Sequence, residues 1–324
     1  MSKSLIAMTS RQDDLTFLTL VAKTAGLDLL QPKNLENAME LIATEEFPVV
    51  FVDASTAEDY QRFENAVHQS FGLFSAKLSA NRLHYLSSED IYKVPYLVGS
   101  PIFGSYVHRN YLQSPDVGKH YGTILKASLK ERSFGIESLV APGTRIQSIK
   151  LENSTQKQEA VEVVRNYLVA LKFQTRMATV IANAVDELIM NAIYDAPVDA
   201  SGHQVYSVTG RNTPVPLSGR SAVELKVACD GEYVTLTAID HFGSLDKGRL
   251  LAAISKIYRQ SEYKVRTAVA GAGLGLATVF HSGGSFHFAS EHGVRTEVTV
   301  FFRKTENFRE FKSQFRFIST QFYF

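Results

Sequence analysis

Gly271-Ala-Gly273-Leu-Gly275-Leu forms a segment whose glycines let backbone amides come close to a phosphate group. The apolar stretch 276–280 that follows can start a helix, whose N-terminus adds favourable partial charge. Upstream, Glu187 and Asn191 lie one turn apart on the same face of any helix through Asn183-Ala-Val-Asp-Glu187-Leu-Ile-Met-Asn191-Ala192. A carboxylate beside an amide is a candidate for proton handling, although alone such a pair is usually a solvated helix face. Asp53 closes the apolar run Pro48-Val-Val-Phe-Val-Asp53, as a reactive strand-end carboxylate or as an ordinary cap of the next turn. Between Ser244 and Ala270 stand Lys247, Arg249, Lys256, Arg259, Lys264 and Arg266, most of which read as a solvated basic face. The histidines are scattered, with no pair at metal-ligand spacing.

Bulk composition bounds what these groups can serve. A chain of 324 residues suits two domains, since single cores usually take about 100–200 residues. Basic and acidic residues nearly cancel, leaving a net charge of +1, so neither nucleic acid nor an anionic membrane gains support. One cysteine, Cys229, excludes an internal disulfide and fits a reducing compartment; its strand-like surroundings suggest a small core residue. No run of about 18 apolar residues is present, and the apolar stretch near the N-terminus is too short for a secretory signal. The expectation is a soluble, cytoplasmic protein.

The elements that must position the candidate residues alternate in the N-terminal half. Short strands are predicted at 4–9, 27–30, 48–53, 82–87 and 105–109, with helices over 13–25, 34–45, 57–71 and 114–132. Apolar runs ended by turn signals and separated by helices predict a doubly wound parallel sheet. The order resembles a response-regulator receiver domain, with Asp53 at the family's phosphoacceptor position. That family holds Mg²⁺ with an acidic pair after the first strand; here Thr9-Ser10 stands there, with Asp13 and Asp14 downstream. Ser87 matches the hydroxyl ending the fourth strand, and Arg109 replaces the family's lysine. Phosphoryl transfer to a carboxylate needs nearby positive charge, so these departures imply a pseudo-receiver used for docking or dimerisation.

The C-terminal half carries a second pattern. A strand near 144–151 leads to Thr155 and Gln158, read as a capping box, and then to two amphipathic helices. Strands 221–229 and 233–239 flank Asp230-Gly231, a hairpin signal, and the second ends at Asp240. Glu187-Leu-x-x-Asn191-Ala192, Asp240 with Gly243, the glycine segment and Thr296 occur in that order. Together they resemble the histidine-kinase-like ATPases of the gyrase, chaperone and mismatch-repair superfamily. The resemblance implies an α/β two-layer sandwich (Bergerat-type) domain that binds ATP with Mg²⁺. On it, Asn191 supplies an amide oxygen to the ion and Glu187 orients or deprotonates the attacking group. Asp240 accepts a hydrogen bond from the adenine amino group, Thr296 backs it, and Gly271, Gly273 and Gly275 cradle phosphate. Lys264 and Arg266 are the candidates to reach the γ-phosphate from the lid. The family's Asp-x-Gly has Phe242 here at the glycine position, with Gly243 one place later.

The expected organisation is 1–132 receiver-like, 133–152 linker and first strand, 153–305 ATPase, and 306–324 an aromatic tail. His120 lacks the surroundings of a phosphoacceptor histidine, and the arrangement is closest to the anti-sigma-factor serine kinases. The resemblance implies a serine/threonine kinase acting on a small regulatory protein; alternatives are a nucleotide-gated binding module and a histidine-kinase-like protein lacking its own phosphoacceptor. The tail carries Phe308, Phe311, Phe315, Phe317, Phe322, Tyr323 and Phe324, helix-like at first and then alternating. Its burial is expected against the N-terminal half, in a homodimer interface, or on the ATPase sheet.

Overall fold

A computed structural model describes residues 3–71, 78–111, 116–130, 133–206, 208–211, 213–248, 250–251 and 274–324. The chain is mixed α/β and divides into two compact units, 1–133 with 315–321 and 134–314 with 322–324.

The first unit alternates β1 (Ser4–Met8), α1 (Gln12–Ala25), β2 (Asp28–Leu30), α2 (Leu35–Thr44), β3 (Val49–Asp53) and α3 (Ala57–Phe71). It continues with β4 (Leu83–Ser87), α4 (Pro95–Val98), β5 (Ser105–His108) and α5 (Val117–Ser128). These strands are parallel, in the order β2-β1-β3-β4-β5. The apolar runs of β1 and β3 are buried along nearly their whole length, as strands covered on both faces must be. Helix α1 stops at Gly26, whose φ of 75° lets its amide turn back to Ala22 O. Gly122 lies inside α5. A Cβ there would come within 2.6 Å of Thr24 Cβ, and one on Gly118 within 2.8 Å of Leu20 Cβ. The two glycines share a face and allow α5 to approach α1 closely.

In the second unit come β6 (Ile146–Leu151), α6 (Lys157–Ala170), α7 (Thr175–Met190), β7 (Val223–Cys229) and β8 (Tyr233–Asp240). After these follow α8 (Leu274–His281), β9 (Ser285–Glu291), β10 (Arg295–Arg303) and α9 (Phe308–Ser313). The sheet is antiparallel throughout, ordered β9-β10-β8-β7-β6. Helix α7 packs against α6, α8, α9 and β8. The capping box before α6 is formed by Asn153 and Gln156, two residues earlier than Thr155 and Gln158. Asp230 Oδ1 accepts from the amides of Glu232 at 3.0 Å and Tyr233 at 2.7 Å, fixing the β7–β8 hairpin. Cys229, at the end of β7, is only half-buried and is not a core residue.

Residues 134–143 pack on this unit's sheet. Ile136 and Val140 cluster with Ala228 and Ile146, and Gly135 N donates to Glu297 Oε2 at 2.7 Å. The last strand, β11 (Phe317–Tyr323), pairs antiparallel with β5, and residues 315–321 belong to the first unit. Phe315 and Phe317 close on Tyr121, and Thr320 Oγ1 donates to Gly104 O at 2.7 Å. No helix among the described residues is long and apolar enough to cross a membrane.

Candidate functional site

In the second unit, α7 buries an apolar stripe that includes Ile181, Val185 and Leu188, which fixes which face carries Glu187 and Asn191. The helix does not end regularly. Residues Asn191–Asp195 widen into a π turn closed by Ala196 N on Asn191 O at 2.9 Å, a departure that often accompanies a functional site. Glu187 and Asn191 are half-buried at this seam. Two of their oxygens, Glu187 Oε1 and Asn191 Oδ1, are buried without a hydrogen-bond partner. Such an unpaired acceptor costs about 1–3 kcal/mol.

Burial pushes the Glu187 carboxyl above its usual range; Arg211 opposes the shift, while Asp195 and Asp186 reinforce it. The neighbouring charges are themselves paired, Arg211 with Asp195 at 3.0 Å and Lys157 with Asp186 at 2.6 Å. A raised carboxylate with an unpaired oxygen suits a general base. The two unpaired oxygens also fit a hard divalent cation. Among the described residues no group of three or more His, Cys, Asp or Glu could hold a metal. Mg²⁺ taking its remaining ligands from water and phosphate needs no such group.

Asp240 closes β8 and is buried, and burial raises its carboxyl to about 6. Thr296 stands opposite it in the β8–β10 ladder, and its hydroxyl works against that rise. The amide of Phe242 donates to Asp240 Oδ1 at 2.9 Å, and it and the Gly243 amide favour the ionised carboxylate. Gly243 has φ of 57°, and a Cβ there would lie 2.0 Å from Glu291 O. The shifted glycine is thus required where it stands, against the β9–β10 turn, and Phe242 is buried beside it. Ser244 Oγ donates to Ala196 O at 2.7 Å, joining this loop to the end of the π turn.

Gly271, Gly273, Lys264 and Arg266 lie outside the described residues, as do Arg249, Lys256 and Arg259. Helix α8 begins at Leu274, so Gly275 falls in its first turn. Burial lowers the Lys247 ammonium to about 8.

In the first unit Asp53 meets Arg109, whose Nη2 lies 2.9 Å from Asp53 Oδ1. The same guanidinium forks onto fully buried Asp14, with Nε to Oδ1 at 2.9 Å and Nη2 to Oδ2 at 2.7 Å. Thr9 Oγ1 and Tyr111 OH also donate to Asp14, and Ser55 Oγ donates to Asp53 at 2.6 Å. Burial alone would raise Asp14, but the donors from Arg109, Thr9 and Tyr111 prevail and hold it below its usual range. Ser87 Oγ accepts from Glu89 N at 3.1 Å. Asp53 also borders a cleft of about 760 Å³, where Lys33 and Arg62 face Asp53 and Asp59, a balance that gives no preference for an anion.

Sequence reasoning did not single out Asp14 as sharing Arg109 with Asp53, nor Arg211 and Arg220 in the second unit. Arg211 and Arg220 sit in the irregular stretch 197–222, where no periodicity marks a side chain as inward-facing. No protein-family model matches the chain, and no curated protein matches it.

Proposed function

We propose that the second unit is a histidine-kinase-like ATPase domain that binds ATP with Mg²⁺, and that the chain is a cytoplasmic serine/threonine protein kinase of the partner-switching type. The observation that carries this is the pair of unpartnered oxygens, Glu187 Oε1 and Asn191 Oδ1, at a π turn in the same unit as the buried Asp240–Thr296 pair. In this reading Asp240 accepts from the adenine amino group, with Thr296 and the amides of Phe242 and Gly243 fixing its orientation. Asn191 offers its amide oxygen to the ion, which supplies charge neutralisation at the phosphates when bound. Gly275 and the start of α8, with Gly271 and Gly273, form the phosphate cradle, and Lys264 and Arg266 are the lid candidates.

Glu187 takes the proton of a substrate serine or threonine hydroxyl as its oxygen bonds to the γ-phosphorus. The bond from that phosphorus to the bridging oxygen breaks, releasing ADP. The raised affinity of Glu187 for a proton favours this role. The first unit is read as receiver-like but held by Arg109, hence a docking or dimerising module rather than a phosphoacceptor. Small regulatory proteins are the proposed substrates, and nucleic acid and membrane are not.

A second reading, a nucleotide-gated binding module without phosphotransfer, is favoured by Phe242 in place of the family's glycine. Incubation with γ-labelled ATP and co-purifying proteins separates the two. Label on a protein hydroxyl that depends on Glu187 supports the kinase; ATP binding without any transfer supports the module.

A further inference from the structure

We propose that Arg220 is the positioning residue for base recognition by Asp240, locking the strand ends around it in place of the usual turn glycine. This rests on the nucleotide reading of the second unit. Arg220 lies in the 3-10 turn Gly219–Ser221 just before β7, beside the end of β8. Its Nε donates to His241 O at 2.9 Å, and its Nη2 donates to Gly293 O at 2.8 Å and to Phe242 O at 3.4 Å. One guanidinium thereby ties together the approach to β7, the exit of β8 and the turn between β9 and β10.

The geometry answers a specific problem. Phe242 cannot supply the conformational freedom of the glycine expected at its position, so the loop turns at Gly243 instead. Gly293 N reaches Gly243 O at only 3.3 Å, a weak closure. Arg220 adds charge-assisted bonds on the same two segments and lies over the Phe242 ring, 5.1 Å from its centre. The planar fork suits this task and a lysine does not, since a point charge cannot hold three carbonyls in fixed directions.

The groups facing the Asp240 carboxylate are the Phe242 and Gly243 amides, the Thr296 hydroxyl and the positive charge of Arg220. Loss of Arg220 should therefore both loosen the amides and remove a charge that favours the carboxylate. The test uses the full chain as wild type, Arg220→Ala and Arg220→Lys, each checked by thermal melting. The carboxyl carbon of Asp240 is titrated by NMR without nucleotide, and ATP and GTP affinities are measured at pH 7.5. The expected result is an upward move of the Asp240 midpoint in Arg220→Ala, partly restored in Arg220→Lys. With it, the preference for ATP over GTP falls at least tenfold in both variants. A midpoint and a base preference unchanged in folded Arg220→Ala overturn the proposal while wild-type ATP binding stands. A wild type that binds neither nucleotide overturns the nucleotide reading itself, and the two failures are distinct.

Discussion

Asp240 and Thr296 face each other across the β8–β10 ladder, and the threonine hydroxyl favours the ionised form of a carboxyl that is almost wholly buried. Raising that carboxyl from its ordinary 3.8 to about 6 means the fold bears a cost of about 3 kcal/mol once it is ionised. The sign follows from linkage: the folded value lies above the unfolded one, so stability falls as pH rises from about 4 through about 6. Asp240→Asn should remove this dependence. Its melting temperature should exceed that of the wild type at pH 7.5 and approach it at pH 4, while ATP no longer stabilises it. A calorimetric series across pH, with and without ATP and Mg²⁺, checks both halves.

Asn191 has its amide oxygen buried and unpaired at the π turn. Asn191→Ala should abolish the Mg²⁺ dependence of ATP binding and leave weak, metal-independent affinity. Titration with a fluorescent ATP analogue, with Mg²⁺ and with chelator, reads this directly. Equal Mg²⁺ dependence in the variant and the wild type would remove Asn191 from the site.

Glu187 should govern transfer more than binding. Glu187→Gln is expected to keep ATP affinity within a few-fold and to lower phosphotransfer by about 10²-fold or more, the usual range for a general base. Because burial raises the Glu187 carboxyl, wild-type transfer should rise with pH as that group loses its proton. A rate profile that keeps its shape in the variant would assign the base elsewhere.

Local signals were legible and long-range pairings were not. Helix α3 and the β7–β8 hairpin lie where periodicity and Asp230-Gly231 place them, because each depends on neighbours in sequence. The partners Asp14 and Arg109 are 95 residues apart, and nothing local to either marks it as the other's partner. The role of Gly122 was equally hidden: α5 lies within the stretch where its pattern places a helix, but the glycine there reflects the nearness of Thr24 on another helix. At the candidate site, motif spacing singled out Glu187, Asn191, Asp240 and Thr296. The π turn, and the arginines bonded to backbone or to Asp195, depend on tertiary packing that no spacing marks.

Arg109 occupies the space between Asp14 and Asp53 as a fixed cation, with its side chain only 3% exposed. No Asp53 phosphorylation by acetyl phosphate and no response to beryllofluoride are therefore expected, with or without Mg²⁺. Arg109→Ala leaves fully buried Asp14 without its ion-pair partner and should cost about 3–5 kcal/mol. Chemical denaturation measures that cost, and mass spectrometry after phosphodonor treatment checks the first expectation. Stoichiometric modification of Asp53 in the wild type would show that the guanidinium yields.

The final strand gives the sharpest stability test. Residues 315–321 complete the sheet of the first unit, with Phe317 opposite Val107 and Ile318 opposite Tyr106. Phe315, Phe317 and Ile318 are buried, and each such side chain contributes about 1.5–3 kcal/mol by leaving water. Further ties come from Thr320 to Gly104 and from Arg316 to Asp90 at 3.3 Å. Truncation after Lys304 removes all of these and bares the edge of β5 together with Tyr121. An exposed edge beside apolar rings invites association with other chains. The truncated protein should therefore melt well below the full chain and form soluble oligomers or aggregate. Phe317→Ala, which keeps the strand, should lower stability by about 3–5 kcal/mol without changing the oligomeric state. Sizing and melting of both variants check this, and a truncated chain as stable as the full one would show that β11 adds nothing to the first unit.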